Sequence, residues 1–151
     1  MKTAVRSIFL LIIILQGCKN DHDPCPECFT PPSHFYFELC DSATGENLFR
    51  NGTLNPNYIE IINLADGSKE PFTFLDENDV DLIRTYPIGG ETEKVNYSFN
   101  VGDLYIFTLY VDAERLFENC CSFTRYNEIR IENADFLRDP NTDVYKIFVA
   151  Q

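Results

Sequence analysis

The chain of 151 residues predicts an all-β domain, an antiparallel β-sandwich of seven or eight strands with immunoglobulin-like architecture. Short runs rich in Phe, Tyr, Ile and Val recur, separated by turn residues at intervals of about 8–12 positions. Apolar and polar residues alternate with a period of two, most clearly over 95–101. No segment of the domain has the period of a long helix. A small closed β-barrel is the alternative architecture.

Turn residues separate the predicted strands and suggest how some of them connect. The Asp66-Gly67 pair predicts a hairpin between the second and third strands. We expect one helical turn over 113–119 and an ordinary loop at Gly89-Gly90. The run over 104–111 is apolar on both faces, which predicts a central strand. In chain order the predicted strands span 35–40, 58–64, 71–75, 82–86, 95–101, 104–111, 123–133 and 144–149.

The first 17 residues differ in character from the rest of the chain. Lys2 and Arg6 give a positive start without acidic residues, and an apolar run from Ile8 to Leu15 follows. This run is too short for a spanning helix, which needs about 18 or more apolar residues. A positive start, a short apolar run and a small residue at the end are typical of a secretory signal peptide. We therefore predict that residues 1–17 are a signal peptide.

The end of this segment, Leu15-Gln16-Gly17-Cys18, resembles the bacterial lipobox. That motif has an aliphatic, a variable and a small residue before the cysteine that receives diacylglycerol. The resemblance implies cleavage before Cys18 and acyl chains, such as palmitate, on that cysteine. Stable anchoring takes more than one chain, and the multiply acylated cysteine of this family meets that requirement. The resemblance therefore implies a lipoprotein that is anchored to a membrane, its partner, through lipid on Cys18.

The charged stretch Lys19–Asp23 comes directly after this cysteine. It resembles the lysine-plus-acidic export tags of Bacteroidota-type surface lipoproteins. That resemblance implies a lipid-anchored protein of the cell envelope, in the outer membrane and exposed at the cell surface. A solvated tether is the simpler interpretation of the same residues, and the two are compatible.

The chain is thus divided into a signal peptide over 1–17, a lipidated cysteine with a Pro/Asp/Cys-rich tether over 18–34, and one β-sandwich domain over 35–151. The formal charge of the precursor is −12. Acidic excess opposes binding to nucleic acid and to anionic lipid headgroups. We therefore expect no nucleic-acid partner.

Disulfides are the default expectation for the remaining cysteines, because the compartment implied by export permits them. An odd number leaves one thiol over, or paired with another chain. Spacing does not determine connectivity. The leading hypothesis is a local Cys25–Cys28 loop, with Cys40 bonded to Cys120 or Cys121. The candidate disulfide residues are Cys25, Cys28, Cys40, Cys120 and Cys121.

Two acidic segments carry oxygen ligands of the kind that Ca²⁺ takes. One is an acidic loop over 76–81, and the other has the one-three-five spacing that opens an EF-hand loop. The second segment has Val144 where that loop needs Gly and Ala150 where it needs Glu, so a solvated turn is the alternative. No other cofactor is expected. The candidate calcium ligands are Asp76, Asn78, Asp79, Asp81, Asp139, Asn141 and Asp143.

Catalytic motifs are absent from the sequence. His22 and His34 are the only histidines, and neither is flanked by a recognisable nucleophile motif. Exposed tyrosines could stack on sugars, although most are better explained by sheet packing. The candidates for sugar stacking are Tyr86, Tyr97, Tyr105, Tyr110 and Tyr126.

These observations predict a non-enzymatic envelope or cell-surface lipoprotein whose sandwich is an interaction module for a protein or glycan partner. One alternative is a carbohydrate- or calcium-binding accessory lipoprotein. The other is a thiol-active envelope protein that uses Cys25 and Cys28. The prolines at 31 and 32 oppose this last alternative, because they forbid the helix that would lower the thiolate pKa.

Overall fold

A computed structural model describes residues 28–77 and 80–150 of the chain, and these residues form eleven strands. A single turn of 3₁₀ helix over Pro56–Tyr58 is the only helical element among them. The strands are β1 Cys28–Phe29, β2 Tyr36–Asp41, β3 Ile59–Asn63, β4 Lys69–Glu70, β5 Phe72–Leu75, β6 Leu82–Thr85, β7 Glu93–Val101, β8 Leu104–Glu118, β9 Cys121–Glu132, β10 Asp135–Arg138 and β11 Val144–Val149.

The strands form two sheets, which confirms the predicted all-β sandwich. The first sheet has the order β1-β9-β8-β7-β3-β4, and the second has the order β10-β11-β2-β6-β5. Most neighbours are antiparallel, but β1 runs parallel to β9 and β11 parallel to β2. The strand count exceeds the predicted seven or eight because β1, β4 and β10 are short edge strands that have no alternating pattern of their own.

Aromatic side chains from both sheets meet in the core. Phe37 of β2 lies against Phe99 of β7 and Phe107 of β8, with ring centroids 4.9 and 5.0 Å apart. Phe99 and Phe107 stack at 4.3 Å. All three rings are buried. Strand β8 lies between β7 and β9, which confirms that the run apolar on both faces is central.

The hairpin predicted at Asp66-Gly67 is present, but its second strand differs from the prediction. Strand β3 pairs with the short β4 (Ile61 opposite Glu70), whereas Phe72–Leu75 pairs with β6 in the second sheet. The predicted pairing of 58–64 with 71–75 is therefore wrong. Pro71 separates β4 from β5, and a proline cannot donate a hydrogen bond to a sheet ladder.

Strands β8 and β9 continue beyond the rest of the first sheet as a hairpin. Pairing of β7 with β8 ends at Ala113, while β8 and β9 pair from there to the turn at Asn119 and Cys120. We call residues 114–125 the hairpin arm. The predicted helical turn over 113–119 is wrong, because cross-strand pairing with β9 outweighs the helix propensity of this short segment. Both turn residues have positive φ (49° and 69°), as a two-residue hairpin turn requires.

The predicted tether is too long at its C-terminal end. Strand β1 pairs with β9, the Thr30 amide donates to the Ser122 carbonyl, and Ser33 forms a bridge with Ile88. Residues 28–34 therefore belong to the folded unit, along the edge of the hairpin arm. Their Pro and Cys content led to the prediction of a linker, because these residues do not form the alternating apolar and polar pattern that indicates a strand.

Candidate functional site

The predicted lipidation site, Cys18, lies outside the described residues, as do Cys25 and the signal peptide. The first described residue is Cys28, which begins β1 beside the hairpin arm. Cys28 is thus the described residue nearest in sequence to Cys18.

At that point Cys28 is disulfide-bonded to Cys121, the first residue of β9, with their Cα atoms 4.5 Å apart. The expected Cys25–Cys28 loop is therefore wrong. The bond forms because the parallel pairing of β1 with β9 places the two residues opposite each other, although they are 93 positions apart in sequence. Cys120, in the arm's turn, is disulfide-bonded as well.

Cys40 has a free thiol, so the expected bond from Cys40 to Cys120 or Cys121 is also wrong. Its side chain on β2 is 1% exposed. Burial, with a smaller contribution from Glu38, raises the pKa of the thiol to about 11. Cys40 is thus a small core residue with low thiolate content at neutral pH, which is the opposite of a reactive cysteine.

The hairpin arm and the adjacent strand β1 present two exposed aromatic rings on one face. Phe117 of β8 and Phe29 of β1 both lie opposite Ser122 of β9, so the two rings share a face with β9 between them. Their exposed fractions are 73% and 66%. The Arg115 guanidinium lies 4.9 Å from the Phe29 ring centroid and donates to the Thr30 carbonyl at 2.9 Å.

The opposite face of the arm is mixed, because Glu114, Glu118 and Arg125 lie there as well as two apolar residues. Leu116 and Phe123 are direct cross-strand partners there, and both are partly exposed. The charges of the arm balance, because Arg125 pairs with Glu114 at 2.6 Å and the arm carries two basic and two acidic residues in total. The arm therefore has no net formal charge, in contrast to the acidic chain as a whole.

The base of the arm is held against the loop before β7. The Thr124 hydroxyl donates to the Gly89 carbonyl at 2.6 Å. Gly89 has φ of +94°, and a Cβ placed there would lie 2.5 Å from Thr124 Cγ2. Gly89 is thus required because this loop lies against the side chains of Thr124 and Ala113, which the interpretation as an ordinary loop missed.

The two predicted acidic segments converge on one cleft of about 260 Å³, which both Asp81 and Asp139 line. Arg50 and Lys146 line the same cleft. Arg50 Nε lies 3.0 Å from the Asp81 carboxylate, so the protein supplies its own cation there.

Several of the acidic candidates are engaged in contacts within the protein, either turn hydrogen bonds or ion pairs. Asp139 accepts hydrogen bonds from the Asn141 amide and the Thr142 hydroxyl, and these bonds hold the pKa of its carboxyl below the ordinary value. Asp143 pairs with Arg138. Within 28–77 and 80–150 no cluster of acidic, histidine or cysteine residues could hold a metal ion. Asn78 and Asp79 lie outside the described residues.

The predicted sugar-stacking tyrosines do not all share one surface. Tyr86 and Tyr97 line one cleft, and Tyr105 lines another. Arg130 covers the Tyr110 ring at 4.3 Å, and the Tyr126 hydroxyl donates to the Ile88 carbonyl. Burial and nearby carboxylates raise the pKa of Tyr97 to about 12.

His34, the one histidine in the described part of the chain, has a structural contact. Its Nδ1–H donates to the Thr85 carbonyl at 2.8 Å, since a carbonyl oxygen can only accept. The neighbouring Phe35 amide donates to the Thr85 hydroxyl, which connects the residues directly before β2 to β6.

Sequence reasoning missed the hairpin arm, although one signal was available. Asn119 is among the residues that tolerate positive φ, and two such positions between extended runs are typical of a tight hairpin. Edge strand β10 was missed as well; it exposes Phe136 and Leu137, at 46% and 59%.

Comparisons with protein-family models, with curated proteins and with solved structures find no match to this chain. Across the described residues, no helix has both the length and the apolar character needed to cross a membrane. The chain's own geometry therefore carries the functional argument.

Proposed function

We propose that the chain is a lipoprotein of a bacterial cell envelope, anchored through lipid on Cys18, whose β-sandwich is a non-catalytic interaction module. The observation that carries the proposal is the Cys28–Cys121 disulfide, ten positions after the lipobox cysteine. Structural disulfides persist in oxidising compartments outside the cytoplasm. The bond therefore agrees with the export that the signal-peptide pattern and the lipobox resemblance imply.

The charged stretch Lys19–Asp23 supports a more specific location. Its resemblance to surface-export tags favours the outer membrane, with the domain exposed at the cell surface.

Edge strand β10 supports the role of an interaction module. It pairs with β11 on one side, and no described strand covers its other side. Phe136 and Leu137 are both exposed on this strand. An open strand edge with apolar side chains is suited to bind an extended segment of a partner by strand addition.

Metabolic labelling with a fatty-acid analogue tests the anchor. We expect the wild-type protein to be labelled, and the Cys18→Ser variant to lose the label and accumulate as uncleaved precursor. Cys40→Ala is the matched control and should keep the label, because Cys40 is buried in the sandwich. Labelling that survives the Cys18→Ser change would contradict the proposal.

Site-specific photo-crosslinking in intact cells tests the interaction surface. A photoreactive residue in place of Leu137 should give one discrete, identifiable adduct. The same residue in place of the exposed Asp103, in the turn between β7 and β8, should not. Equal, diffuse crosslinking at both positions would rule out β10 as the binding edge.

A further inference from the structure

We propose that the hairpin arm contacts the lipid bilayer that holds the Cys18 anchor, with Phe29 and Phe117 inserted among the lipids. This inference rests on the proposed function, because lipid on Cys18 is what brings the domain to a bilayer. It goes further by assigning the surface of the domain that faces the membrane.

The covalent path from the anchor ends at the arm. The step from Cys18 to Cys28 is ten residues long and spans at most about 35 Å when fully extended. Cys28 is bonded to Cys121, next to the turn of the arm. The arm is therefore the part of the domain that the chain holds nearest to its anchor.

The sequence that joins Cys18 to this point carries little apolar surface. Residues 19–27, the sequence KNDHDPCPE, contain no Leu, Ile, Val, Met, Phe, Tyr or Trp side chain, and two prolines and Cys25 are their apolar residues. The apolar residues before Cys18 leave with the signal peptide in the proposed lipoprotein. The largest apolar surface near the anchor is then the acyl chains of the bilayer itself.

The surface chemistry of the arm fits a bilayer better than the rest of the chain does. The precursor has a formal charge of −12, whereas the arm carries equal numbers of basic and acidic residues. Phe29 and Phe117 lie on one face, and Leu116 and Phe123 on the other. The exposed rings of Phe29 and Phe117 can enter the interface between headgroups and acyl chains.

Tryptophan fluorescence in the lipidated full-length protein tests the contact. The chain has no tryptophan, so Phe117→Trp introduces a single reporter. In phosphatidylcholine vesicles we expect blue-shifted emission, and loss of most of that emission when the acyl chains are brominated. Phe29→Trp is a second reporter with the same expected result, in case the first variant folds poorly.

Leu137→Trp is the matched control, because Leu137 is also exposed but lies on β10 in the other sheet. Its emission should be the same with brominated and ordinary lipids. Equal quenching of the Phe117→Trp and Leu137→Trp reporters would overturn the inference. A blue shift without bromolipid quenching would overturn it too, because protein would then cover the ring.

The mass of the N-terminal peptide, measured on the same sample, separates the two proposals. Acylated Cys18 with unquenched reporters refutes the membrane contact and leaves the anchor intact. Unmodified Cys18 refutes the anchor, and with it the membrane contact.

Discussion

Cys28 lies directly opposite Cys121 in the parallel pairing of β1 with β9, and the disulfide between them joins the first described residue to the tip of the longest hairpin among the described strands. The bond connects what the sequence presents as a tether to the arm that carries Phe117. The two cysteines are 93 positions apart in sequence, so the presence of the bond depends on the sheet topology as well as on the redox state.

Peptide mapping under non-reducing conditions should show this connectivity. A glutamate-specific protease cleaves after Glu27, Glu38 and Glu118, which separates Cys28 from both Cys25 and Cys40. We expect the peptide 28–38 to be linked to the peptide that begins at Asn119. A link between the peptide 28–38 and the Cys25 peptide that does not include the peptide from Asn119 would contradict the pairing of β1 with β9.

Substitution of Gly89 should destabilise the protein. Gly89→Ala places a Cβ 2.5 Å from Thr124 Cγ2 at a φ of +94°, so strain and steric overlap add. We expect the free energy of unfolding to fall by about 3 kcal/mol. Gly90→Ala is the control, since no atom lies within 4 Å of its Cβ position, and it should change stability by less than about 1 kcal/mol. Urea unfolding of both variants measures the difference, and equal midpoints would refute the close approach.

Two phenylalanines on β8 should differ sharply in their contribution to stability. Phe107 is fully buried between the sheets, so we expect Phe107→Ala to lower the free energy of unfolding by about 3–5 kcal/mol. Phe117 is 73% exposed, so Phe117→Ala should stay within about 0.5 kcal/mol of the wild type in detergent-free buffer. Urea unfolding tests both. A large loss with Phe117→Ala would mean that its ring packs inside the protein, which would also remove it from the proposed membrane contact.

The buried thiol of Cys40 should make stability fall at alkaline pH. Its pKa is about 11 in the folded protein against an ordinary value of 9.0 for a solvated thiol. Because the folded pKa is raised, the contribution is fully present below pH 9 and is lost as the pH rises through about 11. A pKa difference of this size corresponds to a loss of about 2–3 kcal/mol in the free energy of unfolding.

Urea unfolding of wild type and Cys40→Ala at several pH values across this range measures the effect. The wild type should lose more stability than the variant. The raised pKa of Tyr97 adds a fall above pH 10 in both proteins, so it cancels in the comparison. Parallel pH profiles would show that the thiol is not buried as described.

The sequence predicts the sandwich because its main strands carry local patterns. Alternation over 95–101 indicates a half-buried strand, and the doubly apolar run over 104–111 indicates the central one, as β7 and β8 confirm. Edge strands such as β10 lack a pattern because they are four residues or shorter and exposed, so packing does not constrain their composition.

The candidate site could not be predicted in the same way, because it depends on distant pairings. The partner of Cys28 is determined by where β1 enters the sheet, and connectivity cannot be deduced from spacing. Asp81 and Asp139 lie in one cleft only because β6 and β11 flank β2 on either side. Only the lipobox resemblance at Cys18 is local enough to be recognised in the chain alone.

Mass spectrometry of the mature protein, extracted from membranes, tests the central claim most directly. Trypsin should release a short N-terminal fragment, Cys18-Lys19, that carries the mass of diacylglycerol and an amide-linked acyl chain. That result would establish both the cleavage before Cys18 and the anchor. A mature chain that begins at Met1, or that begins at Cys18 without lipid, would contradict the account.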